Sequence, residues 1–240
     1  MRRLLRALPL TLALAALSVF VTSCGSSNSS QIRFVHAIRD GGPLDINVNS
    51  TKIFTNIAFL GYQPSSGHTK VSSGNVTVAG LATGTTTQVF TSTTSLGSGL
   101  YTLIASGSAT GINGAGVNLL SITDSNTAPA TGNIEFRVVD ASQTQSNVDI
   151  YILANPVTGG IQPPATISGL AYTQASSYIT LPFNSNGSGY TMYVTSAGTT
   201  NPLFSQNLSS PTGSIRTLVL TDVQNGSSMY PHAIELSDLN

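Results

Sequence analysis

Apolar and polar residues alternate along most of this chain in short runs, the period-2 signature of half-buried strands, and no window after residue 24 carries a helical period. The series opens at Ile32 to Ala37, where Ile32, Phe34 and His36 share the inward face and Arg33, Val35 and Ala37 the other, expected on the solvent side. After the turn cluster Arg39-Asp40-Gly41-Gly42-Pro43, Leu44 to Asn49 alternates with Leu44, Ile46 and Val48 inward and Asp45, Asn47 and Asn49 outward. The pattern predicts this pair as a hairpin centred near position 39. Further strands are expected at Lys52 to Leu60, Thr69 to Ser72, Asn75 to Ala79, Thr86 to Thr91, Leu100 to Ala105 and Val117 to Thr123. Short strands at near-regular spacing with Gly and Ser punctuation read as a sandwich or barrel.

The same pattern then returns. Arg33-Phe34-Val35-His36-Ala37 reappears as Arg137-Val138-Val139-Asp140-Ala141, and Leu44-Asp45-Ile46-Asn47-Val48 as Val148-Asp149-Ile150-Tyr151-Ile152, in each case 104 positions later. Tyr101-Thr102-Leu103-Ile104 returns as Arg216-Thr217-Leu218-Val219. The second copy's strands are expected near Ile134, Val148, Ile167 to Tyr172, Tyr178 to Leu181, Tyr190 to Thr195, Leu203 to Asn207, Ile215 to Thr221 and His232 to Leu236, with a Pro- and Gly-rich loop at Asn155 to Pro164. Two units about as long as a small sandwich, joined by Asp124 to Gly132, predict an all-β chain of two tandem β-sandwich domains, 31–130 and 133–240.

Composition narrows this. Only 8% of residues are charged and 40% are hydrophobic, so the chain folds while its solvent faces are covered by hydroxyls and amides. Formal charge is zero, and without Arg2, Arg3 and Arg6 it is −3, which argues against a nucleic-acid partner. Those arginines open a segment with the form of a secretory signal: a basic start, an apolar run from Leu8 to Val21, and Val21-Thr22-Ser23-Cys24. A run this short does not reach the ~20 residues of a membrane span. The Val-Thr-Ser-Cys ending, which holds the only cysteine, resembles a bacterial lipobox. That resemblance implies a signal peptide over 1–23 and a lipidated, palmitate-bearing Cys24, followed by a flexible tether to residue 30. Gly25 after the cysteine points to the outer membrane, with the protein facing the periplasm or the cell exterior.

Arg-Phe-Val-His-Ala, Leu-Asp-Ile-Asn-Val, Tyr-Thr-Leu-Ile-Ala and the Ala128-Pro129-Ala130 joint together resemble the prokaryotic secreted family catalogued as domain of unknown function 4397, over about residues 31 to 240 in two copies. The turn Ala37 to Pro43 departs from the family's usual Pro-containing run, and His36 is replaced by Asp140 in the second copy. The resemblance implies an envelope β-sandwich of immunoglobulin-like or transthyretin-like type and no particular activity.

Candidate chemistry is sparse. Arg33 with Asp45, and Arg137 with Asp149, stand twelve residues apart across the expected hairpin and are read as cross-strand ion pairs that fix register. One carboxylate per unit is too few for a Ca²⁺ site, which takes six to eight oxygens. His36, His68 and His232 are scattered, without zinc-site spacing, and no Gly-x-Ser-x-Gly elbow accompanies the many serines. No metal or cofactor is expected. Tyr151 and Tyr193, outward on their strands, are the candidates for ligand stacking. The reading that results is a non-enzymatic, lipid-anchored envelope module for surface interaction or structure, its partner an unidentified protein or polysaccharide. A glycan- or small-ligand-binding module is the alternative, and a hydrolase comes third.

Overall fold

The computed structural model describes residues 29–111, 116–184, 189–225 and 228–239, so Cys24 and the leader lie outside the described residues. Every element described is a strand. In the first copy β1 (Ser29–Ile38), β4 (Tyr62–Gln63), β5 (Thr69–Ser72), β8 (Gly99–Gly107) and β9 (Val117–Thr123) form one sheet; β2 (Leu44–Val48), β3 (Thr51–Ile57), β6 (Gly74–Ala82) and β7 (Gln88–Leu96) form a second. The second copy repeats the plan. One sheet holds β10 (Asn133–Asp140), β13 (Ile179–Pro182), β16 (Ile215–Asn225) and β17 (Ser228–Ser237); the other holds β11 (Asn147–Ala154), β12 (Ile167–Ala171), β14 (Tyr190–Ser196) and β15 (Pro202–Leu208).

The expected β1–β2 hairpin does not form. β1 has both edges occupied, by β8 in parallel and by β4 and β5 in antiparallel register, while β2 lies between β3 and β6. Residues 39–43 therefore carry the chain from one sheet to the other. β10 and β11 are separated in the same way. β1 also begins at Ser29, so Ser29 and Ser30 belong to the strand and not to the tether; their partners are Ser72 and Val71.

Three buried clusters stack the sheets. Ile32, Phe34 and Leu103 meet Ile46, Val78 and Phe90 inside the first copy, and Phe136, Val138 and Leu218 meet Ile150, Met192 and Val194 inside the second. A third joins the two copies: Val35, Ala37, Ile104 and Leu120 pack against Val139, Ala141, Val219, Ile234 and Leu236. The β1 and β10 sheets are thus inner layers with apolar side chains on both faces, and the β2 and β11 sheets are the outer layers. That is why β1, from Phe34 on, and β10, from Phe136 on, are buried at every position, the usual condition of strands in parallel pairs. It also corrects the sequence expectation for Arg33, Val35 and Ala37, whose face is not solvated but packed against the second copy.

Thr221 on β16 donates to the carbonyl of Ala37 at 3.3 Å, a direct tie between the copies. Asn49 and Ser50, both at positive φ, make the two-residue turn that joins β2 to β3.

Ile104 is fully buried although it points away from its own sandwich core. Ile104→Ala should therefore cost ~2–5 kcal/mol, the range for a core truncation, in urea unfolding. A sandwich whose inner sheet faced water would show a change within about 0.5 kcal/mol.

Candidate functional site

The copies meet at a cluster of ionic and hydroxyl side chains closed to solvent. Arg33 on β1 sends Nε and Nη2 to Thr102 Oγ1 on β8 at 3.1 and 2.7 Å; Nη1 goes to the Ser237 carbonyl at 2.6 Å and Nη2 to Asp238 Oδ1 at 2.7 Å. Arg137 on β10 does the same in reverse. Its Nε and Nη2 reach Thr217 Oγ1 at 3.1 and 2.8 Å, its Nη1 the Thr123 carbonyl at 2.7 Å, and its Nη2 Asp124 Oδ1 at 2.6 Å. Each arginine thus holds the threonine of its own copy and the terminal aspartate of the other.

The aspartates complete the exchange. Asp124 Oδ2 accepts from Thr102 at 2.6 Å and stands 2.7 Å from His68 Nε2; Asp238 Oδ2 accepts from Thr217 at 2.5 Å and from Tyr178 at 2.8 Å. His68 and Tyr178 occupy matching places just before β5 and β13, and the Tyr178 ring also lies 4.5 Å beneath the Arg137 guanidinium. Burial disfavours the Asp124 carboxylate, but His68, Arg33, Thr102 and Arg137 outweigh it and hold its pKa below the usual range. Burial, and then the charge of Asp238, pushes the Tyr178 hydroxyl up, so it stays a donor.

These contacts overturn the pairing read from sequence. Arg33 does not meet Asp45, nor Arg137 Asp149, because each arginine lies on an inner sheet and each aspartate on an outer one. Asp45 instead accepts from Lys52 at 2.7 Å and from the backbone N–H of Asn56 at 2.9 Å, which hold its pKa down at about 2. Asp149 accepts from the N–H groups of Gly169 and Gly198, both at 2.7 Å. Asn56 and Gly169 both have positive φ, at 52° and 61°, where the ladder beside Asp45 and Asp149 slips register. The two aspartates are equivalent after all: each holds the orphaned N–H of a bulge in the neighbouring strand.

Two further aspartates close the loops at the opposite end. Asp40 accepts from Ser108, Thr110 and the N–H groups of Ala109 and Thr110, tying the first copy's 39–43 segment to the end of β8. In the second copy the roles are exchanged: Asp222 on β16 accepts from Ser142, Thr144 and the N–H groups of Gln143 and Thr144. Arg39 of the first copy reaches Asp222 at 3.8 Å.

His36 is fully buried, as its inward face predicted. Its Nδ1 accepts from the Ile38 N–H at 3.2 Å, which leaves Nε2 to donate to the Gly42 carbonyl at 3.0 Å; burial lowers its pKa. Asp140 replaces it and keeps the first bond, Oδ1 accepting from the Ser142 N–H at 2.9 Å, but its Oδ2 has no partner. Burial, opposed by that bond and aided by the charge of Asp222, pushes the Asp140 carboxyl up to about 7.

Tyr151 and Tyr193 stand opposite each other in the β11–β14 ladder. Tyr193 is half-buried, but Tyr151 is only 3% exposed and offers no open stacking face. The turn after β14 folds over it: its hydroxyl donates to the Thr199 carbonyl at 3.3 Å, and Asp149 pins Gly198 beside it. Sequence reasoning missed Asp124, Asp238, Thr102, Thr217, His68 and Tyr178 as partners. The signal was present, since Asp124 and Asp238 directly follow matching strands and Thr102 and Thr217 are identical in the aligned copies.

A family model described as "Domain of unknown function (DUF4397)" matches residues 30–151, about half the chain, from β1 into β11. Among solved structures the chain is similar to the crystal structure of a "putative adhesin" from Bacteroides ovatus, at 12% identity and a TM-score of 0.22, with 86% of this chain and 92% of that one covered. No curated protein matches it.

Two outcomes test the cluster and its neighbour. Asp124→Asn leaves two buried guanidinium groups against one carboxylate and should cost ~3–5 kcal/mol, the range for a broken buried pair, measured by denaturant unfolding. Asp140 has a folded pKa above its unfolded value of ~3.9, so its contribution is complete below about pH 4 and is lost as pH rises through about 7. Asp140→Asn should match the wild type near pH 4 and exceed it in thermal stability at pH 8.

Proposed function

We propose that this chain, which belongs to the DUF4397 family, is a lipid-anchored protein of the bacterial cell envelope whose two immunoglobulin-like or transthyretin-like sandwiches serve as a non-enzymatic module for surface interaction or structure. Cys24 is the anchor in this reading, and the outer membrane is the membrane. The partner is a protein or a polysaccharide and not a nucleic acid.

The observation that carries the reading is how the ionisable groups are used. Arg33, Arg137, Asp124 and Asp238 lock two copies into one body, while Asp40, Asp45, Asp149 and Asp222 each hold backbone N–H groups of a neighbouring loop or bulge. Charge spent in this way supports shape and not turnover. What the body presents outward on the β6–β7 ladder is uncharged: Asn75 beside Ser95, Thr77 beside Thr93 and Ala79 beside Thr91. Such a face suits hydrogen bonding to another polymer. The alternative of a small-ligand or glycan module is favoured by a cleft of ~540 Å³ at one end of the first copy.

Protease shaving of intact cells, beside a Cys24→Ser control, tests the reading. Cleavage of the wild-type chain from outside, with the control no longer fractionating with membranes, is the expected result for a surface module. Membrane fractionation that Cys24→Ser leaves unchanged would remove the anchor from the proposal.

A further inference from the structure

The basic side chains of the described residues are almost all paired. Arg33 and Arg137 meet Asp238 and Asp124, Arg39 meets Asp222, Lys52 meets Asp45 and Arg216 meets Glu235. Lys70 on β5 is left, exposed, with no acidic partner among the described residues. It lines the ~540 Å³ cleft together with Ser29, Thr51 and Ser72, which carry hydroxyls, and with Val48 and Val71, both buried. A lone ammonium with hydroxyl donors above an apolar surface matches an anionic head on an apolar body.

Position selects the source. Ser29, on the cleft rim, is five residues from Cys24, and five residues of chain span at most ~18 Å however they run. With Cys24 acylated, the cleft is held within that distance of the lipid surface, where a lysine is drawn to anionic headgroups.

We propose that this cleft binds the phosphate headgroup of an anionic membrane phospholipid, with Lys70 as the charge partner, Ser29, Thr51 and Ser72 as hydroxyl donors, and Val48 and Val71 against the glycerol and first acyl carbons. The choice of ligand rests on the anchored reading above; the cleft's chemistry does not. Binding there would set the tilt of the first copy on the membrane, because the cleft and the anchor lie at the same end of β1.

The test uses the full chain, expressed with its own leader and extracted in neutral detergent, and follows amide chemical shifts at low salt. Short-chain dihexanoyl phosphatidylglycerol should give saturable shifts at Val48, Thr51, Val71 and Ser72. Lys70→Gln should weaken binding at least about fivefold, the loss expected for one lysine at an anionic surface, and Lys70→Arg should retain it. Equal binding of dihexanoyl phosphatidylcholine, or binding unchanged in Lys70→Gln, overturns the proposal; inorganic phosphate binding as tightly as the lipid overturns the lipid as ligand. Intact mass of the same preparation separates the two readings. Phosphatidylglycerol binding by an unacylated chain sinks the anchor and sustains the cleft, and an acylated chain without binding sinks the cleft alone.

Discussion

Two guanidinium groups and two carboxylates are closed from solvent between the inner sheets, and the relation of one half of the molecule to the other depends on all four being present. Removing such charges from water costs several kcal/mol each, which their mutual attraction offsets only when the geometry is good and the remaining donors are satisfied. Here they are. Arg33 and Arg137 each place Nε, Nη1 and Nη2 on oxygen, and Asp124 and Asp238 each accept from the arginine of the other copy and from the threonine of their own. Such a cluster adds little net stability over an apolar layer. Its effect is on specificity: a one-residue slip of β1 against β17 would strand charges in the apolar cluster of Val35, Ile104, Val219 and Leu236.

The exchange of partners between copies also explains the order of the chain. Asp124 and Asp238 follow the last strand of each copy, β9 and β17, so each inner sheet is completed by a residue that belongs electrostatically to its neighbour. Half the chain would take from each arginine its shorter carboxylate contact, Asp238 at 2.7 Å from Arg33 and Asp124 at 2.6 Å from Arg137, and leave only the longer contact within its own copy, at 3.5 and 3.8 Å. The two copies are therefore not beads on a linker, and the segment from Asp124 onward is less a joint than part of the contact.

Divergence between the copies has preserved bonds more strictly than residues. His36 and Asp140 both accept from the N–H two positions on. His68 and Tyr178 both hold the terminal aspartate. The loop tie keeps its carboxylate and hydroxyl but swaps which strand supplies each, Asp40 with Ser108 becoming Thr144 with Asp222. A buried backbone or carboxylate group must be satisfied, while the side chain that does so can change.

The sequence by itself determined the strands, their inward faces and the duplication, because those depend on local alternation and on identity at a fixed spacing: Ile32, Phe34 and His36 do face the first core, and Val148 and Ile150 the second. Only the tertiary structure decided what the other faces meet. Alternation distinguishes two sides of a strand but says nothing about what lies beyond either, so Arg33 and Val35 read as solvent-facing when a second sheet covers them. Proximity in sequence suggested Arg33 with Asp45. Strand pairing put them in different sheets, and the partner proved to be Asp238, 205 residues away, because burial of charge is resolved by whatever carboxylate the packing brings within reach.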